Sequence, residues 1–302
     1  MRIGARRTEL AMQQARLVRA ALASLGHAAE LVPVRTTADR KRKAPMDPHE
    51  ERGVVLGELE KALVKKKIDC CVHSLKDLPH DVGDGLEIVA LLPRDDPRDA
   101  LIVNPITGAD SLDSLPSGSR VGASSMRRRA QLLALRPDLE VVELRGTLTE
   151  RLLKVETGKV HATIVAAAAL ARIGVTQRIA CYLEAPDWLP APGQGVIAVE
   201  IRADDDNSRA LLAPLDDSAT REATEAEREF LAAIKGGRLA PVGALMRLDG
   251  TLYGFVSDAN GRHMVRGSIR RDGRTPAETG RLLARELRAR GAESILTELR
   301  AS

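Results

Sequence analysis

The sequence predicts an α/β protein that is folded into two or three domains. At 302 residues the chain is too long for one compact core. Predicted strands and helices alternate through its first two thirds, an order that is typical of parallel sheets covered by helices. The last third instead places three strands with hairpin turns between two helices, which indicates a small α+β domain.

Six elements are predicted up to position 94. A helix is assigned where apolar residues recur every three or four positions. A strand is assigned where polar and apolar residues alternate, or where a short apolar run is continuous. These elements are strand 2–5, helix 8–25, strand 29–35, helix 53–65, strand 68–73 and strand 86–92. The charged segment 36–52 shows no periodicity, so we expect a mobile loop there.

A second alternation begins near position 100. Its elements are strand 100–103, strand 120–123, helix 124–135, strand 139–144, helix 147–155, strand 162–166 and helix 167–173. The helix at 147 opens with Thr147-Leu-Thr-Glu150, a capping-box pattern, and the helix at 167 ends before Gly174. The rigid turn Leu189-Pro-Ala-Pro-Gly-Gln-Gly195 leads into a strand at 196–201, which is expected to return to the first domain.

The last third is predicted to form the small α+β domain. Its elements are helix 220–235, strands 244–248, 252–256 and 264–269, helix 275–290 and a short strand or helix end at 294–299. Asp249-Gly250 and Asn260-Gly261 mark the two hairpin turns. The predicted domains are therefore 1–94 together with 196–213, then 95–195, then 214–302.

Composition narrows the class of protein. No apolar run approaches the roughly 20 residues that a membrane span needs, and no secretory signal is visible, so we expect a cytoplasmic protein with no membrane partner. Aromatic residues make up only 2%, which leaves no platform for stacking bases, and no domain is uniformly basic, so we do not expect nucleic acid as a partner. The three cysteines have neither disulfide nor metal-ligand spacing, and we expect no metal.

Arginine dominates the basic residues, at thirty-six against ten lysines. Codon bias explains such a total, but arginines at strand–helix junctions favour binding of planar carboxylates or phosphates. Open α/β sheets bind ligands at these junctions because helix N-termini leave unpaired N–H groups there. Four junctions carry the candidate residues Arg6, Thr8, Lys76, Asp77, Ser124, Ser125, Arg127, Arg128, Arg145, Gly146 and Arg151.

Asp77 is the only carboxylate at these junctions that is suited to stabilising a cation. Several arginines with one such carboxylate favour a polyanionic ligand that passes through a cationic intermediate. Each junction also has a plainer interpretation. The arginines could be solvated on helix surfaces, Asp77 could cap the turn before Pro79, and His73 could be a buried, hydrogen-bonded imidazole.

The order of these motifs resembles that of the porphobilinogen deaminase family over nearly the whole chain. The motifs are Arg6-Arg-Thr8, His73-Ser-Leu-Lys-Asp-Leu-Pro79, Gly122-Ala-Ser-Ser-Met-Arg-Arg-Arg129, Arg145-Gly146 with Arg151, Pro190-Ala-Pro-Gly-Gln-Gly195 and Lys235-Gly-Gly-Arg-Leu-Ala-Pro-Val-Gly243. The resemblance implies three domains. The first two would be like a type II periplasmic-binding-protein pair with the cleft between them, and the third would be small and α+β.

The family's chemistry implies roles for these residues. Porphobilinogen loses ammonia to give an azafulvenium cation, which the free α-carbon of a growing pyrrole chain attacks. Four rounds on a dipyrromethane primer lead to hydroxymethylbilane. The resemblance makes Asp77 the catalytic carboxylate that stabilises the cation. It makes the remaining candidates binding residues for substrate or cofactor, namely Arg6, Thr8, Lys76, Ser124, Ser125, Arg127, Arg128, Arg145, Gly146, Arg151 and Gln194.

Two positions depart from the family. Its members carry a cysteine after the two glycines of the cofactor loop, and the thioether of that cysteine holds the dipyrromethane, whereas this chain has Arg238. The family's Gly-Lys-Gly-Leu-Phe segment is replaced by Glu51-Arg-Gly-Val-Val55, without the phenylalanine that packs on the cofactor. We therefore expect no covalent dipyrromethane, so that any pyrrole primer is held non-covalently.

Two functions remain open at this point. The first is a monomeric transferase, like hydroxymethylbilane synthase, that condenses porphobilinogen or a close analogue into a linear pyrrole oligomer. The retained Lys76-Asp77 pair favours it. The second is a non-catalytic binder of pyrrole carboxylates or linear tetrapyrroles, which the lost anchor at Arg238 favours. A nucleic-acid binder has much weaker support.

Overall fold

The structure is a computed structural model in which residues 1–35, 57–235 and 240–301 are described. The predicted loop at 36–52, the segment 51–55 and Arg238 lie outside the described residues. The strands are β1 (Arg2–Arg6), β2 (Glu30–Val34), β3 (Cys70–Ser74), β4 (Leu86–Leu91), β5 (Asp99–Val103), β6 (Arg120–Gly122), β7 (Glu140–Val142), β8 (Ala162–Ala166), β9 (Cys181–Leu183), β10 (Ile197–Arg202), β11 (Val242–Met246), β12 (Thr251–Ser257) and β13 (Met264–Arg270). The helices are α1 (Glu9–Ser24), α2 (57–64), α3 (Met126–Leu135), α4 (Leu148–Glu156), α5 (Ala167–Arg172), α6 (Asp206–Leu212), α7 (Ser218–Ile234), α8 (Pro276–Leu287) and α9 (Glu293–Ala301).

The chain divides into two compact units. The first comprises Met1–Asp95 and Gly195–Arg221, and the second comprises Asp96–Gln194 and Glu222–Ser302. Each unit combines helices with a mixed five-stranded sheet, in which two strand pairs are parallel and two are antiparallel, and this confirms the predicted α/β class. The second unit also holds a separate antiparallel sheet, and the division into three domains stays a prediction. Among the described helices, none has both the length and the apolar character needed to cross a membrane.

The first unit is built on a five-stranded sheet with the order β2-β1-β3-β10-β4. β1 pairs in parallel with β2 and β3, whereas β10 runs antiparallel between β3 and β4. The strand that is predicted to return to the first sheet is therefore β10. Successive residues of a strand face opposite sides, so Cys70 packs in the core under α1 while Cys71 packs with Leu59 and Leu63 of α2.

The second unit contains a five-stranded sheet with the order β7-β6-β8-β5-β9. β6 pairs in parallel with β7 and β8, and β5 runs antiparallel to β8 and β9. The chain runs from β6 into α3, from β7 into α4 and from β8 into α5. Since parallel strands end at the same edge of a sheet, the junctions before these three helices lie along one edge.

An antiparallel three-stranded sheet, in the order β11-β12-β13, completes the second unit. α7 and α8 cover it through Phe230 and Leu283, which share one core with its strands. The sheet also holds the turn before β10, because Ala244 donates its N–H to the carbonyl oxygen of Pro190 at 3.1 Å. The predicted hairpin turn at Asn260-Gly261 joins β12 to β13, and Gly261 adopts a φ of +72°.

Candidate active site

Two of the predicted junctions lie at the same edge of the first sheet. β1 and β3 are parallel neighbours, so Arg6 at the end of β1 lies at the edge where the chain leaves β3. Thr8 is the N-cap of α1, and its hydroxyl oxygen accepts a hydrogen bond from the Ala11 N–H at 3.4 Å. The structure therefore brings Arg6 and Thr8 to the edge that carries Lys76 and Asp77.

A 3-10 turn over Leu75–Asp77 presents the predicted catalytic carboxylate. Leu75 is buried, and its N–H donates to the carbonyl oxygen of Val196 at 3.0 Å. Leu78 is buried on the other side of the turn. Between these two anchors Lys76 is half-buried and Asp77 is exposed. The backbone on both sides of Asp77 is thus held by the core, while Asp77 itself is exposed.

The two serines between β6 and α3 have different surroundings. The hydroxyl of Ser124 donates to the carbonyl oxygen of Leu144 at 2.8 Å and accepts the Leu144 N–H at 3.2 Å. Ser124 therefore ties the junction after β6 to the junction after β7. Ser125 is at the N-cap position of α3, and its side chain forms no capping hydrogen bond with this helix.

Arg127 and Arg128 are buried, with 6% and 8% of their surface exposed. Arg128 donates from Nε and Nη2 to Oδ1 of Asp99 at 3.2 and 2.6 Å, and Arg127 Nη1 lies 2.8 Å from Oδ2. Arg127 also donates to the carbonyl oxygen of Leu189 at 2.7 Å, and Arg128 donates to that of Ile164 at 2.9 Å. The plainer interpretation, in which both arginines are solvated on a helix surface, is therefore wrong.

Asp99 is fully buried at the start of β5 and collects two further donors. Trp188 Nε1 donates to Oδ2 at 2.8 Å, and Gln194 Nε2 donates to Oδ1 at 3.0 Å. Burial alone would raise the pKa of Asp99, but Arg127 and Arg128 outweigh it and hold the pKa well below its usual range. These five residues form what we call the Asp99 cluster. With two guanidinium groups and one carboxylate, the cluster has one net positive charge.

Gln194 lies inside the second unit with no exposed surface. Its side-chain amide also donates to the carbonyl oxygens of Pro97 at 2.7 Å and Arg98 at 3.2 Å. Asp99 and Trp188 were not predicted from the sequence as members of this cluster. The one feature of the sequence that could have pointed to Asp99 is an acidic residue at the start of an apolar strand. Its partner Gln194 lies 95 positions further along the chain, so no local pattern connects the two residues.

The junction after β7 is the exposed part of the predicted site in the second unit. Arg145 has 51% of its side chain exposed and donates from Nε to Glu143 at 2.6 Å. Arg151 donates from Nε to the carbonyl oxygen of Gly146 at 2.9 Å, and Gly146 has a φ of +118° that favours glycine. The predicted capping box at Thr147 is confirmed. The guanidinium of Arg151 therefore lies near the N-terminus of α4, where carboxylates bind well, while Arg145 precedes the N-cap Thr147 by two positions.

The three cysteines fit a covalent cofactor poorly. Cys70 and Cys71 are buried, and burial raises the pKa of Cys70 to about 12 and that of Cys71 well above its usual value. Cys181 is partly buried, and burial raises its pKa as well. Because the thiolate is the reactive form, a high pKa leaves each thiol a weak nucleophile. None of them is suited to replace the anchor that position 238 lacks.

Comparison with known proteins identifies relatives of the whole chain. A family model described as "Porphobilinogen deaminase, dipyromethane cofactor binding domain" matches residues 1–210. Porphobilinogen deaminase of Syntrophobacter fumaroxidans is 42% identical over 304 residues, which cover 99% of this chain and 97% of the relative. The enzyme of the same name from Roseiflexus sp. is 44% identical over 299 residues, which cover 97% of each chain.

One solved structure that is similar to this chain shares much less of its sequence. A periplasmic substrate-binding protein of an ABC transporter from Coxiella burnetii shares 14% identity, with a TM-score of 0.43, over 73% of this chain and 94% of that one. The curated relatives are the stronger finding, because their identity exceeds 40% and extends over nearly the full length of both chains. This chain belongs to the porphobilinogen deaminase family.

Proposed function

We propose that this protein is a transferase, like hydroxymethylbilane synthase, that condenses porphobilinogen into a linear pyrrole oligomer without a covalently anchored dipyrromethane. The observation that carries the proposal is the anchored turn at the end of β3. It carries the exposed Asp77 beside Lys76, at the sheet edge that also carries Arg6. Membership of the family supplies the substrate class.

Asp77 has the charge that the reaction needs. When porphobilinogen loses ammonia, its exocyclic carbon becomes part of a cation. That carbon then bonds to the free α-carbon of an acceptor pyrrole, and the α-proton leaves. A fixed carboxylate near the pyrrole N–H stabilises the positive charge as it develops, and it needs no reorganisation at that moment. Because the backbone of the turn is held by Leu75 and Leu78, Asp77 is well placed for this role.

The arginines have the charge that the substrate's carboxylates need. Of the two arginines at the start of α4, Arg145 is exposed and Arg151 is half-buried. Arg127 and Arg128 belong to the buried Asp99 cluster, whose net positive charge favours an anion beside it. We therefore assign carboxylate binding to Arg145 and Arg151 and the supporting positive potential to the Asp99 cluster.

The primer is the point at which this protein departs from its family. A guanidinium at position 238 cannot form a thioether, and the three thiols are poor nucleophiles. We propose that the first acceptor pyrrole is bound without a covalent bond. The lost anchor also favours the second candidate, a non-catalytic binder of pyrrole carboxylates or linear tetrapyrroles.

Incubation of the purified full-length protein with porphobilinogen separates the two functions. A transferase consumes porphobilinogen, releases ammonia in proportion and forms a linear oligomer, while its intact mass under denaturing conditions stays that of the bare chain. A binder retains the pyrrole in equilibrium dialysis but releases no ammonia, and this result would overturn the proposed activity. A mass increment equal to a dipyrromethane would overturn the non-covalent primer.

A further inference from the structure

A second group of chemically active side chains lies inside the first unit, away from the exposed turn. Cys71 and His73 are two positions apart on β3, so they share one face of the sheet. Glu200 of the antiparallel neighbour β10 is directly opposite Cys71. The relative exposures of the three residues are 0%, 6% and 0%. Their Sγ, ring nitrogen and carboxylate oxygen atoms all lie within 4.8 Å of one another.

One oxygen of Glu200 has no partner to offset its burial. His73 Nε2 lies 3.1 Å from Glu200 Oε2, whereas Oε1 is buried and makes no hydrogen bond with the described residues. The thiol of Cys71 donates only weakly, to the carbonyl oxygen of Leu59 at 3.6 Å. A buried carboxylate oxygen without a partner costs free energy, and a proton or a cation at this place would recover it.

We propose that Cys71, His73 and Glu200 form a binding site for a divalent metal ion of the zinc class. Thiolate, imidazole and carboxylate are all ligands of Zn²⁺, at about 2.3, 2.0 and 2.1 Å. In a tetrahedral site such bonds leave the ligand atoms roughly 3–4 Å apart, close to the 3.1 Å between His73 and Glu200. This spacing needs only small side-chain movements.

The charges of the proposed site balance. A thiolate at Cys71, a carboxylate at Glu200 and a neutral His73 together carry two negative charges, which a divalent cation neutralises. A neutral complex avoids the large cost of burying a net charge. The thiol proton leaves for solvent on binding, so metal affinity increases with pH.

Three protein ligands leave the fourth position of a tetrahedral site to a water molecule. A metal here would link β3 to β10, whose hydrogen-bonded side chains His73 and Glu200 are 127 positions apart in the chain. It would therefore stabilise the base of the turn that carries Asp77.

The test uses untagged, metal-stripped full-length protein titrated with Co²⁺ and Zn²⁺. The proposal predicts one equivalent of bound Co²⁺ with a thiolate-to-cobalt charge-transfer band, its displacement by Zn²⁺, and a higher melting temperature with Zn²⁺ present. Cys71→Ala should lose the band, and its affinity for Zn²⁺ should fall by at least roughly tenfold. Even the loss of a residue that only supports a metal ligand typically lowers the affinity by this factor. Cys70→Ala is the matched control, because Cys70 is equally buried but faces the core under α1.

Each outcome decides the proposal. Absence of stoichiometric binding in the wild-type protein, or equal loss in Cys71→Ala and Cys70→Ala, overturns it. The plain His73–Glu200 hydrogen bond with no metal is then the correct description. If Cys71→Ala does not fold, Glu200→Gln provides the same comparison, because it keeps a hydrogen-bond partner for His73 and removes the ligand charge. These measurements do not depend on turnover, so they stand apart from the proposed transferase activity.

Discussion

At the scale of residues, burial divides the cations of the site into two classes. Arg127 and Arg128 are enclosed and share the carboxylate of Asp99, while Arg145 stays half-exposed beside Glu143. A buried guanidinium that is held by a carboxylate is rigid and changes the local potential. An exposed one moves and makes direct contacts. Substitution of a buried arginine should therefore mainly lower stability, whereas substitution of an exposed one should mainly weaken ligand binding.

Asp77→Asn should abolish turnover while weakening pyrrole binding much less. The amide keeps the size of the side chain but withdraws the negative charge that stabilises the developing cation, and loss of such a group typically lowers kcat by about 10²–10³. The measurement is the rate of porphobilinogen consumption together with equilibrium binding. Asp81→Asn, in an exposed carboxylate four positions away, is the control. Normal turnover in Asp77→Asn would show that the carboxylate has a structural role.

Asp99→Asn should destabilise the second unit by about 3–5 kcal/mol, because two buried guanidinium groups would lose their carboxylate. The measurement is urea unfolding at neutral pH. Asp138→Asn is the control, since its partner Arg136 forms an ion pair near the surface and the expected change is small. Equal effects of the two substitutions would contradict the importance that we give to the Asp99 cluster.

The stability that Asp99 contributes should depend on pH in a defined direction. Its pKa is lower in the folded than in the unfolded protein, so its contribution is complete above the unfolded pKa of about 3.9 and falls as the pH decreases toward the folded pKa. The free-energy difference between wild type and Asp99→Asn should therefore narrow below about pH 4. Unfolding by urea from pH 7 to pH 3 measures it, and a constant difference would contradict the assignment.

At the scale of elements, periodicity located the long helices and most strands, but short elements escaped it. β9 has three residues and α6 has seven, too few for a repeat to stand out. The segment at 294–299 belongs to α9, and β11 begins at Val242, two positions before the predicted strand. Hairpin turns and the capping box were accurate, because each depends on neighbouring residues alone.

Gly280→Ala should separate α7 from α8 and destabilise the third sheet's core. A Cβ at this position would press against the carbonyl oxygen of Ala226 and lie 2.8 Å from the backbone nitrogen of Phe230, neither of which can move easily. Overpacking of this kind costs about 1–3 kcal/mol. Thermal unfolding measures it. Gly57→Ala, in α2, where no atom of the described residues lies within 4 Å of the added Cβ, should instead be neutral or stabilising by up to about 1 kcal/mol. Similar values for both glycines would contradict the close helix contact.

At the scale of the whole molecule, the chain passes repeatedly between its two units. Each unit is made of two separate stretches of sequence, with changes at Asp95, Gln194 and Arg221. Asp77 belongs to the first unit and the four arginines of the later junctions belong to the second. The predicted catalytic carboxylate and these four arginines are therefore carried by different units.

Arg238→Cys should restore a covalent cofactor if the rest of the site is intact. The new thiol would have the anchoring position of the family, so the protein purified after exposure to porphobilinogen should gain the mass of a dipyrromethane and show faster turnover. Arg238→Ser removes the guanidinium without adding a thiol and should gain neither. If Arg238→Cys folds but acquires no cofactor, the primer-binding surface differs beyond its anchor. The non-catalytic binder would then be the better function.

The sequence alone determined the family, the α/β class and the positions of the four junctions. These features are carried by motifs of adjacent residues and by periodicity, which depend on local geometry. The missing thiol at position 238 was equally visible, because it is a property of one residue. The expected reaction and its main departure therefore both follow from the order of the amino acids.

Only the tertiary structure decided which side chains are buried together. Arg128 binds Asp99, which is 29 positions away in the chain, and Glu200 forms a hydrogen bond with His73, which is 127 positions away. No local pattern records such pairs, because strand order and register place them side by side. Folding also buries Arg127 and Arg128, which the sequence pattern alone could equally place in solvent. It brings together Cys71, His73 and Glu200, whose spacing in the chain indicates no metal site.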